Sequence, residues 1–424
     1  MTQSDSPTFV RHGSIDAVRG FAVLGILLMN IVGIGLPSFA YLDPTYAGGA
    51  TGADFWTWAL NNVLTDGKMR ALFTMLFGAS TVLIAERAEG GALGPAATHY
   101  RRMGWMILFG LAHAFLFWFG DVLVVYGVAG LLIFPFRRLR ARHQLLLGVT
   151  ILAALLARNV WQAGVLDGLH AAAIAPGATA DVIRAWQEAS VAIQLPPEVR
   201  DTELAGFGGS FLSALQARTN MVLFMYTVLL PTDGFPEALG QMFVGMALFR
   251  SGFFTLGWSS RAYGLIIAIG YLVGVPLTAW LAANIAGSGF DPLVLHEQEA
   301  WQQLTRPFIG LAHAAVVLLI IRSGALKGMT DRFAAAGRMA FSNYLGTSIL
   351  TSTLFCGYGL GLYGQLSRAE LLWVVAGVWA IILIWSPAWL ARFQYGPFEW
   401  AWRSLVQWKP QPFVRIAPGL AAIP

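Results

Sequence analysis

Residues 20–40, GFAVLGILLMNIVGIGLPSFA, carry no charged side chain and, apart from Asn30 and Ser38, almost nothing that prefers water. About 20 such residues make a helix of roughly 30 Å, the thickness of a bilayer's hydrocarbon core, and only a helix or a closed barrel satisfies its own backbone there. Working outward, the runs 68–86, 103–120, 122–136, 145–166, 211–249, 262–283, 305–322, 339–357 and 370–391 read the same way. With the first they make about ten passages. The stretch 211–249 is too long for one straight helix and contains Leu230-Pro-Thr-Asp-Gly234, so it reads as kinked, as two half-helices or as re-entrant. Composition agrees: 57% of the 424 residues are hydrophobic and 12% are charged, about half the charge of soluble domains. The expected fold class is all-α, a polytopic transmembrane helix bundle forming one unit over 1–424. An outer amphipathic insertion at 167–210 and an interfacial segment at 392–424 are read as parts of it.

Placing the N-terminus in the cytosol sends most of the 27 Lys and Arg to the inner side and most of the 22 acids to the outer side. That is the positive-inside pattern, and it puts both termini in the cytosol. The net charge of +5 is thus a topology signal and not a nucleic-acid footprint. The single cysteine, Cys356, excludes an intramolecular disulfide and a multi-thiolate metal site. No metal site is expected, since no His-Glu-x-x-His pattern occurs, and neither a Walker loop nor a dinucleotide fingerprint is present. No signal peptide is read before the first apolar run.

Charged and polar groups inside spans are costly and mark functional interiors. His113 and His313 occupy an identical Gly-Leu-Ala-His-Ala pentapeptide, 110–114 and 310–314. Each sits about 7 residues, roughly 10 Å, from the outer end of its span, so the two are expected in one layer. Asp121 ends the third span. If that helix runs unbroken through Gly120, Asp121 stands roughly 12 Å above His113 and cannot touch it. Lys68 and Arg70 enter the second span from the side with fewer cations; they are expected near Asp121, in one polar chamber beneath the insertion. Asn30, Asn343 and Tyr344 need partners within the bundle. At the inner side Ser14 is a candidate cap, Asp16 and Arg19 pair at i,i+3, and Arg19, Arg101, Arg102 and Arg338 could rim a mouth for phosphates.

Five segments in order resemble the bacterial YeiB-like family, the domain of unknown function 418. They are SIDAVRGFAVLGILLMN (14–30), DGKMRALFTMLFG (66–78), FGLAH (109–113) with WFGDVL (118–123), GRMAFSNYL (337–345) and GPFEWAWR (396–403). The resemblance runs from end to end. It implies a ten-helix core similar to the transmembrane acyltransferases, which share the Asp-x-x-Arg-Gly entry to the first helix, and a multi-pass protein of a bacterial inner membrane. In the heparan-acetyltransferase relatives an acetyl-accepting histidine lies in the first luminal loop. Residues 37–66 here contain none, so that mechanism does not carry over.

The expected function is transfer of an acyl group from a cytosolic acyl-coenzyme A donor to an envelope or lipid-linked acceptor. His113, Asp121 and His313 are then the catalytic candidates. Lys68, Arg70, Asn30, Asn343 and Tyr344 would bind the substrate, and Asp16, Arg19, Arg101, Arg102 and Arg338 the donor. No tightly bound cofactor is expected beyond the acyl-coenzyme A itself. Partners would be membrane lipids and a lipid-linked, glycan or small-molecule substrate, with a homodimer left open. The alternative is a transporter or amphiphile-binding protein without chemistry, for which the break at Pro231 is the support.

Overall fold

The computed structural model describes residues 13–191 and 193–415. The ends of the 1–424 unit and the last part of the 392–424 segment fall outside these residues. The described chain is helical throughout, and its one β pairing is a single bridge between Phe393 and Val414. In order the helices are α1 (Gly13–Gly35), α2 (Gly52–Leu64), α3 (Lys68–Arg87), α4 (Gly94–Leu116), α5 (Leu123–Ile133) and α6 (Ala141–Ile174). There follow α7 (Ala180–Ser190), α8 (Pro197–Gly208), α9 (Phe211–Phe224), α10 (Phe235–Arg250), α11 (Ser260–Ile269) and α12 (Val275–Gly287). Last come α13 (Pro292–Ser323), α14 (Lys327–Arg338), α15 (Ala340–Phe355), α16 (Leu371–Arg392) and α17 (Pro397–Gln407).

Six helical stretches are long and apolar enough to cross a membrane: α1, α2–α3, α6, α11–α12, α13 and α16. The protein is an all-helical membrane protein. Around α1, which is 78% buried over its most apolar window, lie α3, α14, α15 and α16. The outer helices α6 and α16 bury only 22% and 28% of theirs and show large apolar side chains such as Trp161 and Trp373 on the outside.

Close helix approach explains two glycines of the quoted segments. A Cβ on Gly20 would lie 1.9 Å from the Phe333 carbonyl oxygen, and one on Gly337 would lie 1.8 Å from that of Asp16. Backbone therefore meets backbone where α1 crosses α14, and no side chain fits between. Arg19, next to Gly20, is carried to the Gly337 carbonyl, 3.5 Å away.

Three expectations about elements change. Ser14 lies within the first turns of α1 and donates to the Phe254 carbonyl, 2.8 Å; it ties the helix to a neighbouring loop instead of capping it. The 211–249 passage is continuous helix, because Met225–Gly234 winds as a π-helix between α9 and α10. Pro231 has no N–H and its ring crowds an α-helical carbonyl; the wider turn accommodates both. Arg158 and Asn159 of α6 grip this stretch, with Arg158 Nη1 2.6 Å from the Thr232 carbonyl and Asn159 2.9 Å from Asp233. The 167–210 insertion is not separate from the fifth span, since α6 runs on to Ile174. Its mixed segment does form a helix, α7, capped by Thr179.

Candidate functional site

The site is built around the end of α4. Apolar residues continue past it, but Phe117 leaves helical geometry at φ −123°, and Trp118 N–H turns back to the His113 carbonyl at 3.0 Å. The chain folds over, and Asp121 returns to the last turn of α4. Its Oδ1 lies 2.8 Å from His113 Nδ1, and its Oδ2 accepts from Val124 N–H at 2.9 Å, capping α5. Both side chains are buried, at 1% and 0% exposure. Gly110, one turn before His113, makes the room: a Cβ there would lie 2.8 Å from Asp121 Oδ2. The expectation that Asp121 cannot reach His113 is overturned, because the helix breaks at Phe117 and not at Gly120 or beyond.

A carboxylate only accepts, so His113 Nδ1 donates in this contact, and in a neutral imidazole the lone pair then falls on Nε2. Nε2 is buried and meets no hydrogen-bond partner among the described residues. The Tyr344 ring stands 5.0 Å from the imidazole and the Trp118 ring 6.4 Å, centroid to centroid.

Next to this pair runs a cavity of about 220 Å³. Asp16, Arg19, Arg87, Arg102, Arg338 and Arg403 line it near the N-terminal end of α1, together with His99 and Glu399. Along α3 the lining passes from Arg87 to Phe77 and Phe73, and along α4 from Arg102 to Met103 and Met106. It thus turns from cationic to apolar over roughly 15–20 Å of helix. Val122, Tyr126 and Tyr344 complete it. Arg19 is held by Asp16 and Ser80, each at 3.0 Å, and the Arg102 guanidinium lies over Trp402 of α17, 4.0 Å from the ring centre. Glu399 of α17 accepts from Phe341 and Ser342 N–H groups at 2.8 and 3.0 Å. Burial raises its carboxyl above the usual range in spite of those donors.

Arg101 is not in the lining; it donates to the Val406 carbonyl, 3.4 Å, and so supports α17 from beneath. The sequence reading missed Arg87, Arg403, His99 and Glu399. Arg403 and Glu399 sit within the quoted 396–403 segment, whose sequence points to the family and to a membrane interface but not to a cavity.

The other candidates fall elsewhere. Lys68 is 0% exposed and donates to the Asn62 carbonyl, so it does not face lipid. Arg70 pairs with Glu237 at 3.0 Å and Arg306 with Glu299 at 2.6 Å, while Asp66 bonds Tyr41. The expected pairing of Lys68 and Arg70 with Asp121 is therefore replaced by a network of Asp66, Glu237 and Glu299. Asp121 is spent on His113 and Val124, Arg70 pairs with Glu237 of α10, and Lys68 lies within electrostatic reach of Asp66 and Glu299. Tyr126, bonded to Thr74 at 2.6 Å, lies within electrostatic reach of Arg70, Glu237 and Asp121 and stands between the two groups.

His313 does not join His113. Its Nδ1 meets the Tyr271 hydroxyl at 2.7 Å and its Nε2 the Leu64 carbonyl at 2.8 Å, so both nitrogens are occupied. Asn343 spans Ala336, Ser386 and Trp385 and joins α14, α15 and α16. Asn30 is half-buried on α1 and does not line this cavity. Among the described residues no cluster of His, Cys, Asp and Glu suits a metal ion.

Residues 248–409 match the family model described as "Protein of unknown function (DUF418)". The "Uncharacterized protein YeiB" of Escherichia coli strain K12 is 30% identical over 93% of this chain and 96% of its own length. The "Uncharacterized protein YxaH" of Bacillus subtilis strain 168 is 28% identical over 94% and 96%. No solved structure matches the chain.

Proposed function

The chain belongs to the YeiB-like DUF418 family, and on that premise we propose that it transfers an acyl group from an acyl-coenzyme A donor to an envelope or lipid-linked acceptor. One observation carries this reading: a single cavity joins a cluster of arginines to an apolar stretch that ends beside a buried His113–Asp121 pair. Guanidinium groups suit the donor's phosphates, and Phe73, Phe77, Met103 and Met106 offer surface to the acyl chain. His113 Nε2 takes the proton of the acceptor's hydroxyl or amine as its oxygen or nitrogen attacks the thioester carbonyl. The carbon–sulfur bond then breaks, and the proton passes from Nε2 to the departing sulfur. Asp121 keeps the hydrogen on Nδ1 and balances the imidazolium that forms between the two transfers. The Tyr344 ring separates His113 from the cavity's contents, so the step requires that ring to turn aside.

The finer topology belongs to the same proposal. With the short helices α7, α8 and α17 left out, the helices group into ten rods, counting α2–α3, α5 with the turn Phe134–Arg138, α9–α10, α11–α12 and α14–α15 as one each. Ten crossings place both termini and the arginine mouth in the cytosol of a bacterium, where acyl-coenzyme A is made, and the core then resembles the membrane acyltransferases. Binding of a non-hydrolysable acyl-coenzyme A analogue to protein in nanodiscs tests the donor site. Arg19→Gln with Arg403→Gln should weaken it about tenfold or more and reduce its salt dependence. Equal binding by the double variant removes the mouth from the account.

A second reading, an amphiphile carrier without chemistry, is favoured by the π-helical stretch and the half-exposed Arg158–Asp233 pair, 2.7 Å apart, since irregular helices often line transport paths. Substrate moved across vesicles by a His113→Ala protein at the wild-type rate would favour it.

A further inference from the structure

We propose that a second, smaller cleft is an oxyanion subsite for the acceptor, which is then a hydroxyl or amine compound bearing a phosphate or carboxylate. The word acceptor rests on the acyl-transfer reading; the anion site itself does not. Gly33, Phe117, Trp118, Phe207, Arg218 and Cys356 are among its lining residues, and its volume is about 10 Å³. That admits one water-sized atom, such as a single oxygen of a larger group.

Arg218 is 1% exposed. Its Nη1 donates to the Phe115 and Leu116 carbonyls at 3.2 and 2.8 Å, and its Nη2 reaches Cys356 Sγ at 3.9 Å. These close the end of α4 but bring only the partial charge of a helix terminus. No carboxylate pairs with Arg218 among the described residues. Its Nε and the indole Nε1 of Trp118 are both buried with no partner, and both residues line the cleft. A buried cation without a counter-charge, beside two unused donors, is expensive. One oxyanion placed between them supplies the charge and both acceptors.

Position gives the site its place in the reaction. Gly33 follows Arg19 by 14 residues on α1, about 21 Å of helix, so cleft and arginine mouth lie toward opposite ends of the bundle. Trp118 from the cleft and Tyr344 from the cavity both flank the His113 ring. Donor and acceptor can therefore approach one imidazole from two ends without competing for the same cations.

The test uses the full chain in phosphatidylcholine nanodiscs, with Arg19→Gln and Arg403→Gln to weaken anion binding at the mouth. Inorganic phosphate, acetate and a short-chain phosphatidate are titrated separately, and bound anion is counted by native mass spectrometry. The chain's single thiol, Cys356, gives a local second readout through its rate of reaction with methyl methanethiosulfonate. At least one anion should bind saturably and slow that reaction. Arg218→Gln should weaken binding about tenfold or more, Trp118→Phe about threefold, and Arg218→Lys should retain most of it. Binding of phosphatidate alone identifies a lipid-borne group, and binding of phosphate or acetate a free anion. If no anion binds, or if the Arg218→Gln and Trp118→Phe proteins bind as well as their parent, the site is overturned and Arg218 serves only to close α4. Should Arg218→Gln fail to fold, Trp118→Phe and Arg218→Lys decide. No acyl donor is present, so failure of the transfer reading would be seen separately.

Discussion

His113 and His313 share the same five residues, and the structure uses them differently. Gly110 clears space for the Asp121 carboxylate, while a Cβ on Gly310 would lie 2.7 Å from the Lys68 carbonyl, so that glycine lets α13 pass close to α3. His113 keeps one nitrogen unpaired; His313 spends both. His313→Ala is accordingly expected to cost about 1–3 kcal/mol through the lost partners of Leu64 and Tyr271, seen as a lower thermal midpoint, with donor turnover per folded molecule unchanged. Asp121→Asn is expected to leave a folded protein whose turnover falls by about a hundredfold or more, because the amide no longer fixes the imidazole or its charge. Turnover within twofold of wild type would remove Asp121 from the mechanism. The identity of both residues was legible in the sequence. Their contact was not, because it depends on where one helix stops.

That stopping point shows what hydropathy can and cannot read at the scale of elements. Phe117, Trp118 and Phe119 prolong an apolar run after the helix has ended at Leu116, and an apolar residue in lipid contributes alike in a helix or in a packed turn. At the other extreme α13 starts at Pro292, well before the apolar run at 305–322, through His296, Glu297 and Glu299. A polar stretch that remains helical gives no apolar signal, and so Glu299, which pairs with Arg306 near Lys68, escaped notice. The long apolar helices, the irregular stretch around Pro231 and the amphipathic α7 were readable because each rests on local chemistry. Packing was not, but it makes a sharp prediction. Gly337→Ala should push α14 from α1 and cost about 1–3 kcal/mol, whereas Gly104→Ala on α4, where a Cβ meets nothing within 4 Å, should be neutral or gain about 0.5–1 kcal/mol. Thermal inactivation midpoints in one detergent compare them. Equal midpoints would mean that the close crossing contributes nothing.

On the scale of the whole molecule, two concavities at opposite ends of α1 converge on one buried His–Asp pair, and the direction in which the bundle sits decides what each can meet. With Cys356→Ser as the background, a cysteine at Gly177 should react with an impermeant maleimide on intact cells, and one at Arg332 only after permeabilisation. The reverse pattern would put the arginine mouth outside and deny it a cytosolic donor. The orientation is a proposal from sequence charge alone, whereas the cavity that makes it meaningful is assembled from α1, α3, α4, α5, α14, α15 and α17, and no single segment announces it. The most direct measurement is release of the coenzyme A thiol from acyl-coenzyme A by the purified protein in nanodiscs, followed by a thiol reagent, with and without bacterial lipid as acceptor. The account predicts release that acceptor stimulates, and a loss of about 10²–10⁴-fold in His113→Ala with donor binding retained. No cleavage of any acyl chain length by wild type, or equal cleavage by His113→Ala, would contradict it.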